Sequence, residues 1–316
     1  MTAVNLLFTV DVENDGVAIH NERNRLSWDA ISTIPIIKDI FDSHKLRVSW
    51  FVRADNQLKD IYGTSAYLLI KHGSLWNDLK GSGDEIGWHP HLYQWDKHTN
   101  SYLADTDEDR CVQKLTDTYS ELHAKGFNYT SVRIGEAYQS NSIMRILSEL
   151  GLKIDSTAIP SRKRQDSARF FDWEITPNEP YHPSKEDYRV PTSQGHLPIL
   201  EVPMTTIPIK ASYDKEPLRR YINISYHHSL FKAGFDAHLD IIQKQEKEQV
   251  FITTILHPDE ISSEKKEHPL YSFSIIEIKK NLEYIINTFN SHNIEYCSLR
   301  IQDVLRFFSH DTKTIC

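Results

Sequence analysis

The stretch FTVDVEND, Phe8 to Asp15, takes the chain from apolar to acidic within a few residues. Residues 4–12 are apolar and β-prone, and Asp11, Glu13 and Asp15 follow one another at alternate positions before Gly16. A run that is apolar on both faces reads as a fully buried strand of a parallel sheet, delivering its carboxylates at its C-terminal end. Downstream, Trp28–His44 carries Ile31, Ile34, Ile37, Ile40 and Phe41 at helical spacing, with Pro35 near the first turns, and Arg47–Val52 reads as a second strand. A helical stretch near Ser65–His72 leads through the polar turn GSGDE into a strand over Glu85–His91. Asp105–Lys125 reads as a helix with acidic residues at its N-terminal end and Gly126 as its stop. Strand Ser131–Ile134, helix Ser140–Leu150 and strand Leu152–Ser156 continue the alternation. Further strands are predicted at Ile199–Val202, Val250–Leu256 and Ile294–Leu299, and helices within Leu218–Glu248 and at Phe273–Phe289 and Ile301–Phe308. Strands recurring every ~25–40 residues with helices between them predict a parallel sheet covered by helices.

Between Pro160 and Pro198 this periodicity lapses. The segment holds Pro177, Pro180, Pro183 and Pro191 among Phe170, Phe171, Trp173, Tyr181 and Tyr188. A run of that length and aromatic content suits an ordered loop over a site better than a linker. With no repeat, low-complexity tract or linker in the sequence, residues 1–316 are expected to form one domain carrying an insertion at about 160–198.

Thirty-six Lys and Arg against 44 Asp and Glu give a formal charge of −8. That balance argues against nucleic acid or an anionic membrane as the main partner, since both need a positive footprint. No apolar stretch is long enough to span a bilayer. The N-terminus lacks the pattern of a secretory leader, and Cys111, Cys297 and Cys316 form neither a disulfide framework nor a metal knuckle. A reduced, cytoplasmic protein is therefore expected.

Polar groups cluster at predicted strand ends, the edge where ligands bind in α/β folds: Asp11/Glu13/Asp15, His89/His91, Asp155 and His257. His89 and His91 lie two apart in an extended segment, so both rings face one side and suit a single metal ion, with a carboxylate from the first strand. Of Asp11 and Glu13, one is expected to bind the ion while the other takes a proton from water. His257 precedes Pro258, which biases it towards extended backbone, and an imidazole there suits protonation of a departing amine. Asp155 either orients that imidazole or caps the next turn, and Arg133 is placed to pair with Asp11.

Taken together the motifs resemble those of the NodB-homology polysaccharide deacetylases, carbohydrate esterase family 4. FTVDVEND is similar to the first motif and DEIGWHPH (Asp84–His91) to the second. VRIGEAYQSNSIMRILSELGLKIDST (Val132–Thr157) is similar to the third and its following helix. LEVP (Leu200–Pro203) and TTILHP (Thr253–Pro258) resemble the later motifs, and FDWEITPNEPYHPS resembles the insertion of a subgroup. The resemblance implies a deformed (β/α) barrel of about seven parallel strands holding one divalent ion, zinc or else cobalt, nickel or manganese. It implies Asp11 as catalytic base, Glu13 and His89 as metal ligands, Arg133 as anchor of the base, His257 as general acid and Asp155 as its tuner. The reaction implied is metal-assisted hydrolysis of an N-acyl group, normally acetyl, from an amino sugar.

The sequence departs from the family pattern at two places. The family's second metal histidine falls four residues after the first, where this chain has Tyr93; His91 is the nearest substitute and His98 a remoter one. The first motif reads D-x-E, which keeps Asp15 as an alternative to Glu13. The expected substrate is a small amino sugar, nucleotide-linked or lipid-linked, from surface-polysaccharide assembly. The alternatives are a catalytically silent carbohydrate-binding barrel and an amidohydrolase acting on a non-sugar amide. Arg162, Lys163 and Arg164 are candidates to meet a phosphate or form a solvated basic loop; Trp173, Tyr181 and Trp95 are candidates to stack on sugar or to anchor packing.

Overall fold

The structure is a computed structural model that describes residues 3–15, 26–166, 170–244, 247–261 and 267–308. In chain order its strands are β1 (Ala3–Val12), β2 (Val48–Arg53), β3 (Glu85–His89), the hairpin β4 (Tyr93–Asp96) and β5 (Ser101–Ala104), β6 (Ser131–Val132) and β7 (Ile154–Asp155). There follow the hairpin β8 (Lys163–Gln165) and β9 (Phe170–Asp172), β10 (Leu200–Glu201), β11 (Thr206–Ile209), β12 (Leu218–Asn223), β13 (Gln249–Leu256) and β14 (Tyr296–Ser298). The main sheet runs β10-β7-β6-β3-β2-β1-β13-β12-β11, and β14 also pairs with β1. Every pairing in it is parallel except β11 with β12.

β1 is central, as its apolar run requires. One edge pairs with β13 along Ala3–Val10; the other is shared between β14 at Val4–Leu6 and β2 at Phe8–Val12. Beyond β10, the Thr205 N–H donates to the Thr253 carbonyl of β13 (3.0 Å), and its own carbonyl accepts from Ile222 of β12 (2.8 Å). The continuation of one edge is thus pinned to the opposite side, and the sheet curls into a deformed (β/α) barrel.

Side-chain alternation gives this curl an inside and an outside. Leu6, Phe8, Val10 and Val12 join the large core beneath the helices, whereas Leu7 joins Phe51, Ile154, Phe251, Ile301 and Val304 in the second core, within the barrel. Thr9, Asp11 and Glu13 follow Leu7 on the inner side at period two. The helices α1 (Ile34–Ser43), α2 (Asn56–Tyr62), α3 (Tyr67–Lys71), α4 (Gly73–Gly81), α5 (Glu108–Ala124), α6 (Asn141–Glu149), α7 (His228–Lys244) and α8 (Ile275–Ser291) complete the elements around the sheet. In α1 the predicted spacing buries Ile34, Ile37, Ile40 and Phe41, each stabilising by about 1.5–3 kcal/mol. Gly87 in β3 has no room for a side chain: a Cβ would come within 2.6 Å of the Phe51 ring and 2.8 Å of Ser131 Oγ, so Phe51 crosses the barrel only over glycine.

The helix expected within Leu218–Glu248 is α7, His228–Lys244; the strand before it, β12 (Leu218–Asn223), paired with β11 and β13, was not foreseen. Over its described residues the 160–198 segment is ordered, as expected. It contains the β8–β9 hairpin, and the Trp173 indole, fully buried, donates to the Ala137 carbonyl (2.9 Å). The Tyr181 hydroxyl donates to the Tyr188 carbonyl (2.8 Å), so Trp173 and Tyr181 are packing anchors and not sugar platforms; Trp95 packs edge-on against Tyr102. Cys111 is free and buried, and Cys316 lies outside the described residues. No helix among the described residues is long and apolar enough to cross a membrane.

Candidate active site

A cavity of about 490 Å³ opens at the C-terminal ends of the strands, lined by Asp11, Glu13, His89, His91, Arg133 and His257 among others. Arg133, buried in the barrel just past β6, holds one side of it together. Its Nη1 donates to Asp11 Oδ1 and to Thr9 Oγ1, both at 2.7 Å, its Nε donates to the Ser156 carbonyl at 2.7 Å, and its guanidinium lies 4.4 Å over the Phe51 ring. The predicted pair is therefore formed, and it leaves Asp11 Oδ2 facing the cavity without a partner among the described residues.

Glu13, His89 and His91 bring three ligand atoms within 4.8 Å of one another. His89 Nδ1 lies 2.8 Å from the Arg133 carbonyl oxygen, which only accepts; the ring proton is on Nδ1 and Nε2 presents a lone pair. Tyr93 donates its hydroxyl proton to Glu136 Oε1 (2.9 Å), so its oxygen accepts from His91 Nδ1 (3.0 Å), and His91 Nε2 presents a lone pair as well. The two Nε2 atoms are 3.2 Å apart, and Glu13 Oε2 is 2.7 Å from that of His91 and 3.6 Å from that of His89. In these tautomers three acceptor atoms converge as a group that could hold a cation. The spacing is close to the ~3.3 Å expected between ligands bound at ~2.0–2.1 Å in a tetrahedral site, so this donor set fits a divalent ion. Burial, helped by the Arg53 charge, lowers the His91 pKa and keeps its ring neutral.

Tyr93 grips His91 through its hydroxyl, and His91 Nε2 lies beside His89 and Glu13; His98 sits in the exposed β4–β5 turn. Asp15 turns away: it accepts from the Ser27 hydroxyl and from the backbone N–H groups of Asp29 (2.8 Å) and Ala30 (3.1 Å). Gly135 makes the fit possible, since a Cβ there would lie 2.5 Å from the His91 ring. The next two residues, Glu136 and Ala137, both adopt left-handed φ (58° and 54°), a strained pair that aims Glu136 at Tyr93.

His257 stands opposite, its Nε2 3.6 Å from Glu13 Oε1. Its carboxylate partner is Glu260 (Nδ1 to Oε1, 2.9 Å), not Asp155 as expected. Parity explains the correction. Ile154 and Ser156 face the barrel interior, the latter bonded to Arg133, so Asp155 points to the other face. There it accepts from Gln139 (2.6 Å) and Thr157, and lies beside Glu201. Burial pushes Asp155 up to about 6, and burial beside Asp155 raises Glu201 well above the usual range. Glu260 is itself fixed by Asn223 (2.9 Å) and Ser225 (2.8 Å). Burial would lower the His257 pKa, but Glu260 and Glu13 reverse this and raise it well above normal, so the ring is cationic at neutral pH.

The sequence reading missed Glu260, Glu136 and Asp55. Asp55 caps α2, holds Arg53 (2.7 Å) and accepts from the His91 N–H (3.2 Å). The signal for Glu260 was present: in HPDE a proline-started turn brings position four back onto position one.

No family model matches this sequence, and no curated protein matches it. Solved structures do share its fold. Puue allantoinase superposes with a TM-score of 0.58 at 13% identity, covering 98% of this chain and 92% of its own. A structure described as "probable polysaccharide deacetylase" from Pseudomonas aeruginosa PAO1 gives 0.57 at 13% identity, covering 98% and 93%. At this identity the likeness is one of architecture: the chain has the fold seen in polysaccharide-deacetylase structures, the fold its motifs led us to expect.

Proposed function

We propose that the protein is a metal-dependent N-deacylase that removes an acyl group, typically acetyl, from an amino sugar or sugar conjugate. The observation that carries this reading is the convergence of Glu13, His89 and His91 on one point, with Asp11 and a cationic His257 on the same cavity. A divalent ion held by those three supplies Lewis-acid polarisation of the acyl carbonyl and acidifies water. Asp11 takes the water proton on Oδ2, because Arg133 keeps Oδ1 engaged. His257, charged by Glu260, donates its Nε2 proton to the nitrogen as the C–N bond breaks. Asp155 has no step in this scheme; Glu260 takes the role of tuning His257. Zinc suits the two-imidazole, one-carboxylate set best, and a surface-polysaccharide intermediate is the substrate context we favour.

The likeness to an allantoinase structure supports a second reading, hydrolysis of a non-sugar amide at the same site. A screen of N-acylated amino sugars against simple linear and cyclic amides separates the two. Asp11→Asn keeps the bond to Arg133 but removes the base, and turnover is expected to fall by about 10²–10⁴-fold at unchanged metal content. Turnover retained by that variant sinks the mechanism.

A further inference from the structure

Arginines are frequent around the cavity, and most are neutralised. Arg133 pairs with Asp11, Arg53 with Asp55, Arg164 with Asp166 and Arg220 with Asp214. Arg162 is the exception: half-buried on the cavity wall, it has no carboxylate among the described residues and donates from Nη1 to the Arg219 carbonyl (2.6 Å). A guanidinium has five N–H donors, so four remain for a ligand. Burial, together with the Arg220 charge, lowers the Arg162 pKa, the mark of a cation placed without its counter-charge.

His268 lines the same cavity and is also a donor without an acceptor among the described residues. Its Nδ1 accepts from the backbone N–H groups of Leu270 (3.1 Å) and Tyr271 (3.2 Å), which puts the ring proton on Nε2. Tyr226 and Tyr271 line the same cavity as both, and Tyr271 lies 5.3 Å from the Tyr226 ring and 4.9 Å from the His268 ring. A guanidinium fork and a separate ring N–H on one cavity offer three or more donors. That number suits the three outward oxygens of a phosphoryl group better than the two oxygens of a carboxylate.

We infer that Arg162 and His268 seat a phosphoryl group carried by the substrate. The inference rests on the deacylase reading for the identity of the occupant, but its test does not depend on turnover.

Inorganic phosphate is titrated calorimetrically into the wild-type protein and into Arg162→Gln, Arg162→Lys, His268→Phe and His89→Ala, with thermal melts to confirm folding. Phosphate should bind the wild type, weaken about tenfold or more in Arg162→Gln and less in Arg162→Lys and His268→Phe, and stay within about twofold in His89→Ala. Unchanged binding in Arg162→Gln, or no binding to the wild type, overturns the inference. Binding lost in His89→Ala but kept in Arg162→Gln places phosphate at the metal centre and overturns it too, leaving the deacylase reading standing. Titrating an N-acetyl amino sugar free, as its 1-phosphate, as its nucleoside-diphosphate derivative and as its polyprenyl-phosphate derivative then identifies the carrier. If none of the phosphorylated forms binds better than the free sugar, the inference fails.

Discussion

Replacing Tyr93 with Phe removes one oxygen and tests how His91 is held. The Tyr93 hydroxyl accepts from His91 Nδ1 at 3.0 Å and donates to Glu136 at 2.9 Å, so it fixes both the tautomer and the tilt of His91. Without it, the Nδ1–H of a ring 3% exposed loses its acceptor, at a cost of about 1–3 kcal/mol. The ring can relieve that cost by moving its proton to Nε2 and donating to Glu13 Oε2, 2.7 Å away, which withdraws the lone pair a metal needs. The loss therefore falls on metal affinity: about 10–100-fold, the usual size for removing a group that orients a ligand. A chelator competition titration with zinc measures it, alongside a thermal melt to separate affinity from folding. An affinity within about twofold of wild type in a folded variant would refute the relay and return Tyr93 to the status of a packing residue.

Glu260→Gln leaves His257 buried without its anionic partner, so the ring's pKa falls from its raised value. A general acid works while protonated, so the alkaline limb of the pH–rate profile should move to lower pH, with kcat down about 10²-fold or more at neutral pH; an unmoved limb argues against His257 as the acid. Glu201→Gln probes the buried pair with Asp155. A carboxyl whose pKa is raised by folding gives stability that is complete below its unfolded value near 4.5 and is lost as pH rises towards the folded one. Glutamine removes that titration, so the variant should gain on wild type as pH rises above about 4.5, by at most about 1.4 kcal/mol per pH unit in urea melts. A difference that does not change with pH refutes the neutral Glu201.

Much of this site was legible because β1 and β3 are extended and period two is simple to follow. Asp11 and Glu13 follow Leu7 inward, and His89 and His91 share a face, so both pairs arrive together. The same rule applied to β7 would have turned Asp155 away from His257, since Ile154 and Ser156 are the inward residues there. What the sequence hid depends on contacts between distant segments. Tyr93 and Glu136 meet because of a strained turn after Gly135, and Glu260 is fixed by Asn223 and Ser225 from β12 and its exit. Likewise, β12 was missed because LRRYIN shows its strand preference only when β11 and β13 lie on either side.

The central claim is that Glu13, His89 and His91 hold one metal ion. Elemental mass spectrometry of the purified protein after loading, with folded His89→Ala beside it, tests this most directly. The account predicts about one equivalent of a divalent transition metal in the wild type and a loss of most of it in the variant. No metal in the reconstituted wild type, or equal metal in both, would contradict it.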